Sequence, residues 1–183
     1  EPLQLEAEST SGLAVSFESS NPDVLEVNGT QLKVRGAGVA VIYAIQDGSA
    51  NYLPATELNA TVTVFTAELQ VIAEPKSRAY LEENPELTFR YEGFVNDENA
   101  TELEEEPSVS TVATVASPAG EYPITTSGGA AANYHFAHHG SSLIIGEGAQ
   151  HIEIFEVDSN ATYGAEPLQL EAESTSGLAV SFE

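Results

Sequence analysis

The side chains in this sequence with chemistry to offer are four histidines, a run of acids and many hydroxyls. His135, His138 and His139 crowd into Tyr-His-Phe-Ala-His-His-Gly, and His151 follows. Imidazoles at such spacing raise the question of zinc, which takes four nitrogen, sulfur or carboxylate donors in a tetrahedron. Residues 135 and 139 of a strand share one face and residue 138 takes the other. Two of the three could then converge, and no cysteine stands by to complete a site. The plainer expectation is a polar strand end. The hydroxyls sit in no Gly-x-Ser-x-Gly elbow, and no glycine-rich phosphate loop occurs, so catalysis is not expected.

The acidic run is the best place for a hard cation. Asp97, Glu98 and Asn99 precede Glu102, Glu104, Glu105 and Glu106. Ca2+ wants six to eight oxygens on a flexible loop, and Asp97, Glu98 and Glu102 are the residues that could supply them. Calcium is the one cofactor this sequence leaves room for. The run lacks an Asp-x-Asp-x-Asp-Gly loop and is mostly glutamate, so a solvated charged face competes with that reading. Asn28, Asn59, Asn99 and Asn160 open Asn-x-Ser/Thr triplets. A Thr-rich β-chain generates such triplets freely, and they are read as incidental. The tyrosines Tyr43, Tyr52, Tyr80, Tyr91, Tyr122 and Tyr134 could line a glycan-binding face, but they fall in strand-like runs where packing with a bonded hydroxyl is the better expectation.

The elements that would position these residues are β-strands. Leu3, Leu5 and Ala7 alternate with polar residues. The same period-two pattern runs through 14–17, 24–27, 31–34, 39–43 and 60–65, broken by Asn21-Pro22-Asp23, Asn28-Gly29, Gly36-Ala37-Gly38 and Asp47-Gly48. Short alternating runs between turn residues are half-buried strands, and Asn-Gly between two of them predicts a hairpin. A second series covers 69–73, 86–91, 108–115, 121–126, 132–137 and 142–145, with turns at Pro118-Ala119-Gly120 and Gly128-Gly129. Between them, 99–105 predicts one helical turn capped by Asn99 or Asp97. Alternation resumes at 151–157. The fold class is all-β.

A repeat organises these elements. Residues 1–18, EPLQLEAESTSGLAVSFE, recur letter for letter at 166–183, an offset of 165 residues from Glu1 to Glu166. A fixed period marks an array, and this one suits a unit of one or two domains. The segmentation that follows is 1–65, 66–147 and 148–183, the last being the start of the next unit. On that logic the strand at 151–157 opens a domain, and residues 1–65 lack their own opening strand. Residues 149–183 are then expected either to hang as an incomplete domain or to complete a neighbouring copy by strand addition. Packing of that segment onto residues 1–65 of the same chain would overturn the expectation.

Composition narrows the partners. Five Lys and Arg face 29 Asp and Glu, a formal charge of -24. Such a chain repels nucleic acid and anionic membranes. The basic residues Lys33, Arg35, Lys76, Arg78 and Arg90 form no run. No apolar stretch reaches the length of a membrane span, so membrane insertion is not expected.

Residues 13–65 resemble a bacterial Ig-like domain of the invasin and surface-repeat type. The resemblance is carried by Ser19-Ser20-Asn21-Pro22, Val24 with Val27, Gly36-Ala37-Gly38, and Asn51-Tyr52 before Val62 and Val64. Residues 67–147 resemble an MBG-type domain, named for mucin-binding β-grasp modules. There the carriers are Leu69-Gln70-Val71, Ala79-Tyr80, Asn84-Pro85-Glu86-Leu87-Thr88, Tyr91-Glu92-Gly93-Phe94-Val95, Gly120-Glu121-Tyr122-Pro123-Ile124 and Asn133-Tyr134. Thr162-Tyr163-Gly164 matches the Tyr-Gly start of such repeats, whereas Tyr80 is followed by Leu81. The resemblance implies an Ig-like sandwich followed by a β-grasp-like or sandwich MBG-type domain, set end to end in an extracellular or cell-surface protein. It implies a non-catalytic stalk unit of an adhesin or filament, with adjacent copies of the same repeat as partners. The alternatives are a module for surface glycans or host proteins and a fibre subunit completed by strand addition. A connection as short as Phe65-Thr66-Ala67 predicts restricted swivelling between the two domains.

Overall fold

The alternating runs become strands because each places every second residue on a buried face. A computed structural model describes residues 3–155, 162–164 and 171–182. The first strands are β1 (Leu3–Gln4), β2 (Ser16–Ser19), β3 (Leu25–Asn28), β4 (Gln31–Val34), β5 (Gly38–Ile45) and β6 (Leu58–Val64). They form two antiparallel sheets, ordered β1-β4-β3 and β2-β5-β6. Val24, Leu25, Leu32, Ala40 and Ile42 are buried between them, with Phe17 and Val62 packed alongside. The β3–β4 hairpin forms as the sequence predicts, but its turn sits one residue later than the Asn-Gly pair suggests. Asn28 pairs with Gln31, so Gly29 and Thr30 are the loop. Gly29 takes φ +62, the sign that two-residue hairpin turns require at this place.

The next strands are β7 (Ala67–Ala73), β8 (Lys76–Ala79), β9 (Phe89–Glu92), β10 (Ser108–Thr111), β11 (Gly120–Ser127), β12 (Tyr134–His139) and β13 (Ser141–Gly146). Their sheets are ordered β12-β7-β9 and β10-β11-β13-β8. Two joins are parallel, β7 with β12 and β8 with β13. The consecutive pair β7–β8 thus divides between the sheets, and β12–β13 divides in the same way. Each sheet is stitched by one strand from either end of the segment. Ala73, Ala113, Ile124, Leu143 and Ile145 form the core between them. Of the two architectures expected for this segment, the sandwich is found. Among the described residues the only helix is a three-residue 3-10 turn at Ala100–Glu102, where a β-grasp needs a helix across its sheet. Asn99 caps that turn, its Oδ1 accepting from Thr101 N at 3.0 Å.

The sequence did not anticipate β8. Its inward residue is Arg78, so Lys-Ser-Arg-Ala shows no apolar alternation. Two predicted runs are shorter in the structure. The run 86–91 pairs only from Phe89. The run 108–115 leaves the sheet after Thr111, where Ala113 turns into the core and Ser117 N bonds back to Thr114 O.

Two strands remain, β14 (Ile152–Phe155) and β15 (Glu171–Ser174), which pair antiparallel as a two-stranded sheet. Among the described residues no strand of 3–64 pairs with one of 67–146, and neither set pairs with β14 or β15. Among the described residues, β14 and β15 have therefore not joined the sheets of residues 3–64.

Candidate functional site

The junction between the two sandwiches is held by several hydrogen bonds. β6 ends at Val64 and β7 begins at Ala67, leaving Phe65 and Thr66 between them. Asn133, just before β12, holds both sides. Its backbone carbonyl accepts from Ala67 N at 2.9 Å, and its Oδ1 accepts from Ala37 N at 2.8 Å across 96 residues of sequence. A Cβ on Gly36 would lie 3.0 Å from the same Oδ1 and 3.0 Å from Asp23 O, so the turn is held close from both sides. Thr66 Oγ1 hydrogen-bonds His135 Nδ1 at 3.0 Å. Val34, Ala37, Val64, Val95 and Asn133 enclose a cleft of about 90 Å³ here.

The loop after β9 reaches this cleft. Asn96 and Asp97 adopt φ +55 and +61, a left-handed conformation that Asn and Asp tolerate better than most residues. Tyr134 fixes the loop: its hydroxyl donates to Glu98 Oε2 at 2.6 Å and accepts from Val95 N at 3.1 Å. Burial, reinforced by the hydrogen bond to Glu98, pushes the Tyr134 phenol above its ordinary range. Phe89, Tyr91, Phe94 and Tyr134 form a chain of edge-to-face contacts with ring centroids 5.3, 5.5 and 5.4 Å apart. Tyr91 carries a buried hydroxyl with no hydrogen-bond partner, and burial raises its pKa as well.

The residues that suggested calcium are distributed as follows. The Glu98 carboxylate is engaged by Tyr134, Asp97 is exposed beside it, and Glu102 ends the 3-10 turn. Among the described residues no group of three or more His, Asp or Glu is gathered closely enough to hold a metal ion. The histidines of β12 separate. His138 Nδ1 lies 3.0 Å from Thr126 Oγ1, which also lies 3.3 Å from Val71 O. His135 turns to Thr66 and lies 3.8 Å from Glu68. His151 stands beside Glu153. Asn28 and Asn59 are exposed on strands, Asn99 is occupied as a cap, and Asn160 lies outside the described residues.

The aromatic side chains of residues 67–147 mostly face inward. Tyr80 is the exposed exception at 40%. Tyr122 bonds Pro118 O at 3.0 Å and Tyr134 is buried, as expected for packing tyrosines, whereas Tyr52 in the first sandwich is exposed. Arg35, Lys76 and Arg90 each sit against a glutamate, so these cations form no patch.

Sequence reasoning overlooked Arg78. It is buried, and its guanidinium donates to Asn84 Oδ1 at 2.7 Å, Ala79 O at 2.9 Å and Thr114 O at 2.5 Å. Asn84 passes the link on, its Nδ2 donating to Ala113 O at 2.7 Å. The visible signal was a lone arginine three residues before Leu81 in a chain with few cations.

The described residues thus form an all-β chain whose two sandwiches meet at a junction pinned by Asn133. Residues 69–144 match the family model of the MBG domain (YGX type), a non-enzymatic module of surface proteins. The match covers less than half of the chain and runs from within β7 to within β13. No curated protein matches the chain. Among the described residues no helix is long and apolar enough to cross a membrane.

Proposed function

We propose that this chain is a repeating spacer of a long cell-surface or secreted bacterial protein, an adhesin or filament. In this reading an Ig-like sandwich and an MBG domain alternate end to end. The observation that supports it best is the junction, where Asn133 ties the connection to one sandwich and its side chain to the turn of the other. A two-residue connection so held resists bending, which is what a spacer must do. The exact recurrence of residues 1–18 at 166–183 fits such an array. The formal charge of -24 keeps neighbouring stalks apart. Adjacent copies of the repeat are its partners, and no catalytic role is assigned.

Solution scattering and mass measurement on a chain of two consecutive units, with and without calcium, test this reading. The expected particle is an extended monomer that lengthens by about 70–90 Å per unit, from strand rise and sandwich height. A compact particle would sink the reading. A length that changes with calcium would assign the stiffness to cations at sites such as Asp97, Glu98 and Glu102.

A further inference from the structure

The end of the first sandwich that faces away from the Asn133 junction carries an ordered apolar loop. β5 starts beside the junction, where Ala37 N meets Asn133, and its last residue, Ile45, pairs with Ser16 of β2. The chain before Ser16 and the chain after Ile45 therefore leave the sheet at the far end. The loop there, 46–57, is folded on itself. Gln46 Oε1 accepts from Gly48 N at 2.9 Å, Gln46 O accepts from Ala55 N at 2.9 Å, and Tyr52 O accepts from Ser49 N at 2.8 Å. Gly48 leaves no room for a Cβ beside Tyr52 O. These bonds fix a loop whose two large apolar side chains point outward, Tyr52 at 54% and Leu53 at 90% exposure. A surface ordered in advance loses less entropy when it is covered.

The second sandwich has a matching end. Gly140 alone separates β12 from β13, too little chain to reverse direction, so β13 and its parallel neighbour β8 run on away from the junction. They finish together, with Tyr80 N donating to Gly146 O at 2.9 Å, and β11 starts there with Gly120 opposite Ile145. Tyr80, Leu81, Pro118 and Ala119 form this end face, and all four are exposed.

The repeat brings the two ends together. Ser176 and Leu178 repeat Ser11 and Leu13. They line, with Tyr80, Pro118 and Ala119, an open cleft of about 530 Å³. The turn that carries them is the same in both copies. Ser9 Oγ lies 2.7 Å from Ser11 Oγ and Gly12 N donates to Ser9 O at 2.9 Å; Ser174 Oγ lies 2.7 Å from Ser176 Oγ and Gly177 N donates to Ser174 O at 2.9 Å. In the first copy this turn stands just ahead of β2, at the sandwich end that bears loop 46–57. The end of the following unit that carries its own loop 46–57 thus faces Tyr80, Pro118 and Ala119.

We propose that Tyr52 and Leu53 of one unit seat on Tyr80, Leu81, Pro118 and Ala119 of the unit before it in the same chain. This rests on the spacer reading and supplies the second kind of junction that an alternating array requires. Both faces are apolar in a chain of formal charge -24, so the contact is driven by burial and persists at high salt.

A chain of two consecutive units tests it, and the lack of cysteine makes an introduced pair unambiguous. Leu53→Cys in the second unit is combined in turn with Leu81→Cys and with Ala119→Cys in the first. A disulfide needs Cα atoms within about 7 Å. At least one pair should close in a glutathione buffer about tenfold faster or more than the same two substitutions placed within one unit, because seated thiols meet at a high effective concentration. Leu53→Asp in the second unit, its fold checked by circular dichroism, should shorten the particle in solution scattering as this junction bends. An extended particle in which neither pair outpaces its single-unit control overturns the contact and leaves the spacer reading standing. So does an extended particle whose length is unchanged by Leu53→Asp. A compact particle overturns the spacer reading, and the contact falls with it.

Discussion

Asn133 Oδ1 accepts the Ala37 N–H at 2.8 Å, joining the turn before β5 to the residue that leads into β12. The same residue's carbonyl accepts Ala67 N, so one asparagine sets both the start of β7 and the seat of the preceding sandwich. Asn133→Ala removes the first bond and keeps the second. A single neutral hydrogen bond contributes about 1 kcal/mol, so the thermal midpoint should move little while the junction loosens. Residual dipolar couplings should report one alignment frame for both sandwiches in the parent and two separate frames in the variant. Asn133→Asp retains an acceptor and should restore the single frame. A common frame in Asn133→Ala would show that the cleft packing alone holds the junction.

The turn after β8 carries a strain that a glycine would relieve. Leu81 follows Tyr80 where Tyr163 is followed by Gly164, and Leu81 has φ +68 against +90 for Gly164. A left-handed conformation costs a β-carbon-bearing residue about 1–2 kcal/mol. Glycine returns part of that through its freer unfolded chain. Leu81 is exposed, so little burial is lost. Leu81→Gly should therefore stabilise the domain by about 0.5–1 kcal/mol in a urea titration. Gly93 is the opposite case. It has φ +114, and a Cβ there would lie 2.5 Å from Glu68 O on the neighbouring strand. Gly93→Ala should destabilise by about 2 kcal/mol or more, since both backbone conformation and close approach are violated.

Two tyrosines separate what a buried hydroxyl contributes from what it costs. Tyr91 OH has no partner and Tyr134 OH has two. A buried polar group without a bond is penalised by about 1–3 kcal/mol. Tyr91→Phe should therefore leave stability unchanged or raise it by about 1 kcal/mol. Tyr134→Phe should lose about 1–2 kcal/mol and free the loop around Asn96 and Asp97. The pH dependence follows from the same groups. Both phenols are raised above their ordinary value of 10.0, chiefly by burial. Their stabilising contribution is then whole below that value and is lost as pH rises from it through the folded-state pKa. Denaturant midpoints should hold steady from neutral pH to about 9 and fall above about 10. The double Phe variant should flatten that fall. An unaltered alkaline limb would place its origin elsewhere.

Legibility in the sequence followed the physics of alternation. Val24 to Val27 and Gln31 to Val34 declared themselves because one face of each is apolar and a glycine turn joins them. The Asn99 cap was visible because asparagine before a short polar run offers its side chain to the first free amides. β8 was invisible because its inward residue is Arg78, which looks like surface until its three acceptors are seen. Asn133 stood out as a family residue, but its role depends on Ala37, a contact that no local pattern encodes. The stop of β1 at Gln4 was not legible, because the alternation of Leu3, Leu5 and Ala7 runs past it. Glu171–Ser174, identical to Glu6–Ser9, do form a strand where β14 is beside them, so that element depends on its partner rather than on its own propensity.

Arg78 provides the sharpest test of the MBG core. Its guanidinium is buried with no carboxylate among its hydrogen-bond partners, and it is satisfied instead by Asn84 and the carbonyls of Ala79 and Thr114. A planar fork reaches three acceptors in different directions, while an ammonium on a flexible stem cannot reproduce that geometry. Arg78→Lys should therefore cost nearly as much as Arg78→Met, about 3 kcal/mol in either case, from hydrogen bonds of a charged donor worth about 1.5–3 kcal/mol each. The loss should be local at first. Hydrogen exchange should quicken for the amides of 112–117, which the arginine and Asn84 hold to β8, before β7 and β12 lose protection. If Arg78→Lys proves as stable as the parent, charge alone supports the site and the fork geometry is incidental. If both variants unfold while Asn84→Ala does not, the carbonyls of Ala79 and Thr114 are the acceptors that matter.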